Sequence, residues 1–165
     1  MALNPDQSLG FMVADVSRLM RREFNRRSQE LGLSQSQWRA LAFLSRQQGI
    51  NQTTLADRLE IQPMTLVRLV DQLQESGWVV RTPDPEDRRA FQLHLTDKAA
   101  PLLERMWKIA AETQDHALTG LSGDDTQALL ASLGLIKRNL ADADSCMNRA
   151  ETTAKKVNAN AKRKD

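Results

Sequence analysis

The stretch NQTTLADRLEIQPMTLVRLVDQLQESGWVVRTPDPEDRRAFQLHL, residues 51–95, contains a change of hydrophobic period that decides the fold. Over residues 53–59, Leu55, Ala56 and Leu59 fall on one side of a short helix that Asn51 is suited to cap. Pro63 fits the first turn of a second helix running to Glu75, whose stripe is Leu66, Leu69, Val70 and Leu73, and Gly77 closes it. After Gly77 the period drops from 3.6 to 2. Residues 78–81 and 91–95 read as strands, the second alternating Phe91, Leu93 and Leu95 with Gln92 and His94. Between them lies a turn, residues 83–89, with two prolines and alternating charges. That composition makes a poor interior, so the hairpin projects its tip into solvent.

Working outward, residues 8–31 place Leu9, Met12, Val16, Leu19, Met20 and Phe24 at helical spacing, and Gly32 supplies a stop. Ser34 or Ser36 caps a further helix carrying Trp38, Leu41 and Leu44, which ends near Gly49. Beyond the hairpin, Thr96 reads as the cap of a long helix to about residue 118, bent early by Pro101, with Leu102, Met106, Ile109, Ala110 and Thr113 on one side. Ser122 and Asp125 have capping-box spacing before a last helix with Leu129, Leu133, Ile136 and Leu140.

The expected fold is mostly α with a small β-hairpin wing: a winged helix-turn-helix over 34–96, flanked by helices over 8–31 and 97–144 that form a dimerisation domain. Residues 145–165, rich in Ala, Lys and Asn, are expected to be a disordered basic tail. The flanking helices carry more apolar stripe than one small winged domain covers, which points to a homodimer; folding back as a monomer is the alternative.

Composition narrows the function. At 41% hydrophobic and 27% charged, the chain has the balance of a soluble globular protein. No apolar run approaches the roughly 18 to 20 residues of a membrane span, and residues 1–10 lack a signal-peptide pattern, so a cytoplasmic protein with no membrane partner is expected. Six basic residues against Glu151 and Asp165 put +4 in the tail. The remainder therefore holds −2 of the chain's net +2, and any phosphate footprint must be local.

Such a footprint is present. In helix-turn-helix proteins the second helix lies in the major groove with its outward N-terminal residues at base edges, which here are Gln62, Met64, Thr65 and Arg68, with Gln72 a turn or so further on. Arg68 can fork onto guanine O6 and N7, Thr65 can serve a phosphate or a base, and Met64 can touch a thymine methyl. Arg88 and Arg89 sit at the hairpin tip, where a guanidinium can enter a narrow minor groove.

The chain resembles the MarR family of regulators, and most of all its SlyA-like branch, over residues 9–140. The resemblance rests on LGLSQSQW (31–38), on LVR and DQL leading to Gly77 (66–77), and on DRRA followed by LTDKA (87–99). It implies a homodimer with interlocked first and last helices, contacts to double-stranded DNA from the fourth helix and wing, and a pseudopalindromic operator. It also implies a small aromatic or phenolic effector, an aromatic carboxylate, where the dimerisation helices meet the winged domain. The matching positions are Arg18, Ser36 and Trp38; Ala42 stands where the SlyA-like pattern often has His. An Arg can fork onto a carboxylate while Trp walls the ring, although Trp38 also suits core packing and Arg18 a solvated basic face. The further arginines of that helix, Arg21, Arg22, Arg26 and Arg27, suit the phosphates of a CoA thioester, a second effector class.

Cys146 excludes an internal disulfide and, in a polar segment, reads as incidental rather than as a redox sensor. His94 and His116 lie on different elements and make no metal site, and no cofactor is expected. The tail is a solvated end or an arm adding non-specific phosphate affinity. Two other classes remain: a winged helix serving a protein partner, against which the wing arginines argue, and an enzyme, for which no nucleophile with a base, glycine-rich loop or carboxylate pair is found. A regulator that is not an enzyme is the expectation.

Overall fold

The computed structural model describes residues 8–85, 87 and 90–161, with side chains described as far as 142. The described residues fall into two compact units, one ending at Ala117 and one beginning at Leu118.

In the first unit, α1 spans Leu9–Arg27 and is followed by a 3-10 turn, Gln29–Leu31, that ends on Gly32 at φ 65°. The helix thus stops short of residue 31, its end tightening as the chain approaches a left-handed residue. Ser34, not Ser36, caps α2 (Gln35–Leu44): its Oγ accepts from the Gln37 amide at 3.3 Å while Gln37 Oε1 accepts from the Ser34 amide at 2.9 Å. A two-residue strand that the sequence did not announce, β1 (Ile50–Asn51), leads directly into α3 (Gln52–Leu59). Asn51 Oδ1 accepts from the Thr54 amide at 2.8 Å, the expected cap.

Glu60, at φ 55°, turns the chain toward α4 (Pro63–Glu75), which opens on Pro63. Gly77 at φ 76° ends it, with the Trp78 amide bonded to Leu73 O at 2.9 Å. Because that amide serves the helix end, the strand begins one residue later than expected: β2 is Val79–Pro83 and β3 is Phe91–Leu95. The sheet order is β1-β3-β2, all antiparallel, with Ile50 opposite Leu93, Val79 opposite Leu95 and Pro83 opposite Phe91. Pro83 is tolerated because β2 is an edge strand.

Thr96 stands at the N-cap of a 3-10 turn rather than of the long helix, and its side chain makes no cap bond. Its hydroxyl donates to Gly77 O at 2.5 Å and its amide to Trp78 O at 3.0 Å, which closes the base of the hairpin. A 3-10 turn, Asp97–Ala99, then leads into α5 (Ala100–Ala117), so Pro101 falls in a first turn where no backbone donor is needed.

The core sits where α2, α3, α4, the sheet and α5 meet: Leu41, Leu44, Leu55, Leu66, Val70, Leu73, Val79 and Leu93 are fully buried, and Met106 and Ile109 bring in α5. Truncating one of these leucines to alanine removes about 2–5 kcal/mol. From α1 only Phe24 is buried, while Leu9, Met12, Val16 and Leu19 are each about half exposed.

The second unit is built on α6 (Gly123–Ala161). Ser122 and Asp125 cap it as expected, the Ser122 hydroxyl donating to Asp125 Oδ2 at 2.6 Å; that bond, with a second from the Ser122 amide, pulls the Asp125 carboxyl below its ordinary value. The helix runs to Ala161, through the first part of the segment 145–165 that the sequence reads as a basic tail. Leu129, Leu133 and Leu140 of α6 are exposed. The side chains of Cys146 and of the tail's basic residues lie outside the described ones. No helix among the described residues is long and apolar enough to cross a membrane.

Candidate functional site

The short turn through Glu60 and Ile61 sets α4 against α3, and the amphipathic stripe then dictates which side of α4 faces out. Leu66, Leu69, Val70 and Leu73 are buried, so positions on the opposite arc are presented to solvent. Gln62, Met64, Thr65, Arg68 and Gln72 are all exposed, Met64 at 68%. Gln62 occupies the cap position without using its side chain there, and Arg68 enters no ion pair among the described residues. The structure therefore brings together one outward row holding a guanidinium, a hydroxyl, two amides and a thioether. These groups match the donors, acceptors and methyl groups displayed in a major groove.

Gln72 is held. Its Oε1 accepts from Gln37 Nε2 at 3.3 Å, and Gln37 is the residue that completes the cap of α2. Arg81 of β2 reaches in the other direction: it pairs with Asp71 Oδ1 at 2.6 Å and donates to Gln74 Oε1 at 2.9 Å and Gln52 Oε1 at 3.1 Å. Sequence reasoning passed over Arg81, Asp71 and Gln37. A charged residue inside a strand reads as solvent-facing, and partners 10 and 29 residues away leave no local signal.

The hairpin narrows to a tip tied by the Asp84 amide to Ala90 O at 3.0 Å and by the Ala90 amide to Asp87 O at 2.9 Å. Gln92 Nε2 adds a bond to Asp84 Oδ2 at 3.3 Å. Arg88 and Arg89 lie outside the described residues.

Of the expected effector residues, Arg18 is exposed on α1 and paired with Asp15 at 3.0 Å. Ser36 and Trp38 are half-buried in the first turn of α2. Trp38 stacks at 4.4 Å on Phe24, with the rings tilted by 46°, and its Nε1 donates to Asn25 Oδ1 at 2.8 Å. Arg18 is two turns of α1, about 10 Å along the axis, from Asn25. A groove of about 790 Å³ opens instead between α1 and α5. Its apolar wall includes Val16, Leu19 and Met20, its polar wall Arg22, Asn25, Arg26 and His116, and none of Arg18, Ser36 and Trp38 lines it. Glu23, on the same wall, is bonded by Arg26 and by Arg27, each at 2.7 Å, and these bonds hold its carboxyl down to about 2. Arg22 enters no ion pair among the described residues.

A family model described as the MarR family matches residues 33–91, which take in α2, the helix-turn-helix and the hairpin to the start of β3. Among solved structures, the transcriptional regulator PA3341 is 36% identical, with 82% of this chain and 99% of that chain covered and a TM-score of 0.71. A MarR family transcriptional regulator from Silicibacter pomeroyi is 27% identical over 84% of this chain and 96% of its own, with a TM-score of 0.73. The transcriptional repressor CouR, solved bound to a 23-mer DNA duplex, is 30% identical over 83% of this chain and 99% of its own, with a TM-score of 0.67. A winged helix-turn-helix with an outward polar row on its second helix, matched along nearly the full length of such regulators, places this chain in the MarR family of DNA-binding transcriptional regulators.

Proposed function

We propose that the chain is a cytoplasmic, homodimeric and effector-responsive regulator of the SlyA-like branch, a repressor or activator rather than an enzyme, acting on a pseudopalindromic operator. The observation that carries the reading is the exposed row of Met64, Thr65 and Arg68 above buried Leu66, Leu69 and Val70. α4 offers Arg68 and Thr65 to base edges, with Gln62, Met64 and Gln72 beside them, while Arg88 and Arg89 of the wing serve the minor groove.

Dimerisation is supported by the exposed apolar residues of α6 and of the start of α1, Leu9 and Met12, since an amphipathic helix needs a surface on which to bury its stripe. A twofold pair sets two recognition helices about one duplex turn apart.

For the effector, an aromatic carboxylate or its CoA thioester, the α1/α5 groove is the better seat. It joins an apolar wall to Arg22, whereas Arg18 already has a carboxylate partner. Effector binding then biases the separation of the recognition helices, a coupling of about 1–3 kcal/mol.

The test is fluorescence anisotropy with a pool of short random duplexes at two salt concentrations, followed by sequencing of the bound fraction. Enrichment of a pseudopalindrome with half-sites one turn apart is the expected result. No binding to any duplex at low salt would remove the DNA reading.

A further inference from the structure

We propose that Arg81 is a positioning residue: it sets the angle between wing and recognition helix, and through it the spacing on DNA between the bases α4 reads and the groove the wing enters. The inference rests on the DNA-contact reading given above.

Arg81 leaves β2 and meets α4 along one face, at Val67 O (3.5 Å), Asp71 Oδ1 (2.6 Å) and Gln74 Oε1 (2.9 Å). Its Nε and Nη2 also reach Gln52 Oε1 in the first turn of α3, at 3.3 and 3.1 Å. All three guanidinium nitrogens are engaged and the side chain is only 19% exposed, so this arginine is not free for a phosphate. Among the described residues, the hydrogen bonds from β2 to α3 and α4 all come from it. A planar guanidinium presents five donors in a fixed fork to acceptors on both helices; a lysine ammonium keeps the charge but has three donors on one nitrogen and loses the fork.

The angle matters because the hairpin is a lever. Pro85, four residues beyond Arg81 and two past the end of β2, lies up to about 13 Å away, so a tilt of about 15° at Arg81 shifts it by up to about 3.4 Å, the scale of one base-pair step. Without the fork, β2 is held to the helices only through its base, core packing and its partner β3, which β1 anchors as far as Gln92, and the tip beyond can follow either of two neighbouring steps.

The experiment uses the full chain and an operator selected with the wild type. Affinity is measured on that operator and on versions with one base pair added or removed between the bases protected by α4 and those protected by the wing. The wild type is expected to lose about 10-fold or more on altered spacing, the scale of one mismatched base pair. Arg81→Lys and Asp71→Asn are expected to narrow that ratio to about 3-fold or less, with the salt slope of binding unchanged because no phosphate contact is removed. Circular dichroism melts identify any variant unfolded at the assay temperature, and Gln74→Leu, which removes one neutral acceptor, then takes its place. Folded variants that keep the wild-type ratio overturn the proposal while leaving DNA binding intact. A wild type that binds no duplex overturns the DNA reading and this inference with it.

Discussion

Gln37 holds Gln72 from the side: its Nε2 donates to Gln72 Oε1 across 3.3 Å while its own Oε1 accepts from the Ser34 amide at 2.9 Å. The cap of α2 thereby engages the Gln72 carbonyl and leaves its NH₂ free for the DNA acceptor that the proposed reading assigns to it. Gln37→Glu keeps the cap acceptor and loses the donor. Its stability is expected to stay within about 0.5 kcal/mol of wild type, against a loss of about 1 kcal/mol for Gln37→Ala, while DNA affinity falls about 2- to 10-fold in both. Urea melts and anisotropy on the same samples separate the two effects.

Arg68 and Arg88 are expected to differ in kind. Arg68→Ala should lose about 1–3 kcal/mol on its preferred base and flatten the preference at that position, whereas Arg88→Ala should weaken all sequences alike. Titration against a panel of single-base operator variants reads this directly. Equal loss on every sequence for both substitutions would contradict the assignment.

Arg22→Ala should reduce the affinity of salicylate, hydroxycinnamates or their CoA thioesters by about 10-fold or more, the loss of a charge-assisted hydrogen bond, and Arg18→Ala should leave it unchanged. Isothermal calorimetry decides. The opposite pattern would return the effector to the site that Arg18, Ser36 and Trp38 suggest.

Glu60 is the described non-glycine residue with a positive φ, 55°, in the turn between α3 and α4. Glu60→Gly removes the Cβ that opposes this conformation and is expected to stabilise the fold by about 1 kcal/mol, raising the thermal midpoint. A lower midpoint would mean that the Glu60 side chain contributes more than its backbone strain removes.

Glu23 gives a dependence on acid. Hydrogen bonds from Arg26 and then Arg27 depress its folded value to about 2 from an ordinary 4.5, so the stabilisation is complete above 4.5 and disappears as pH falls through about 2. The midpoint difference between wild type and Glu23→Gln should be constant near neutrality and close across that window. A difference that persists unchanged at pH 2 would assign it to packing.

Local grammar made much of the molecule legible. Asn51, Ser34, Pro63 and Gly77 each mark a boundary through their own backbone or cap chemistry, and α4 begins at Pro63 and ends at Glu75 as its stripe implies. What sequence could not show depends on distant partners. β1 exists because Ile50 finds Leu93, more than forty residues on, and the Thr96 hydroxyl is turned to Gly77 O, nineteen residues back, instead of capping the turn that follows it. The outward row on α4 followed from periodicity alone. Arg81, the groove wall of Arg22 and His116, and the grip of Gln37 on Gln72 did not, since each is made by elements that meet only after folding.

The hairpin is closed twice, at its base by Thr96 on Gly77 and Trp78 and below its tip by Asp84 on Ala90. It is therefore an exchangeable cassette. Segments grafted between Asp84 and Ala90 can vary in length and charge while the register from Val79 opposite Leu95 to Pro83 opposite Phe91 stays in place. On the proposed DNA reading, minor-groove preference diversifies by changes to a handful of codons while α4 stays untouched.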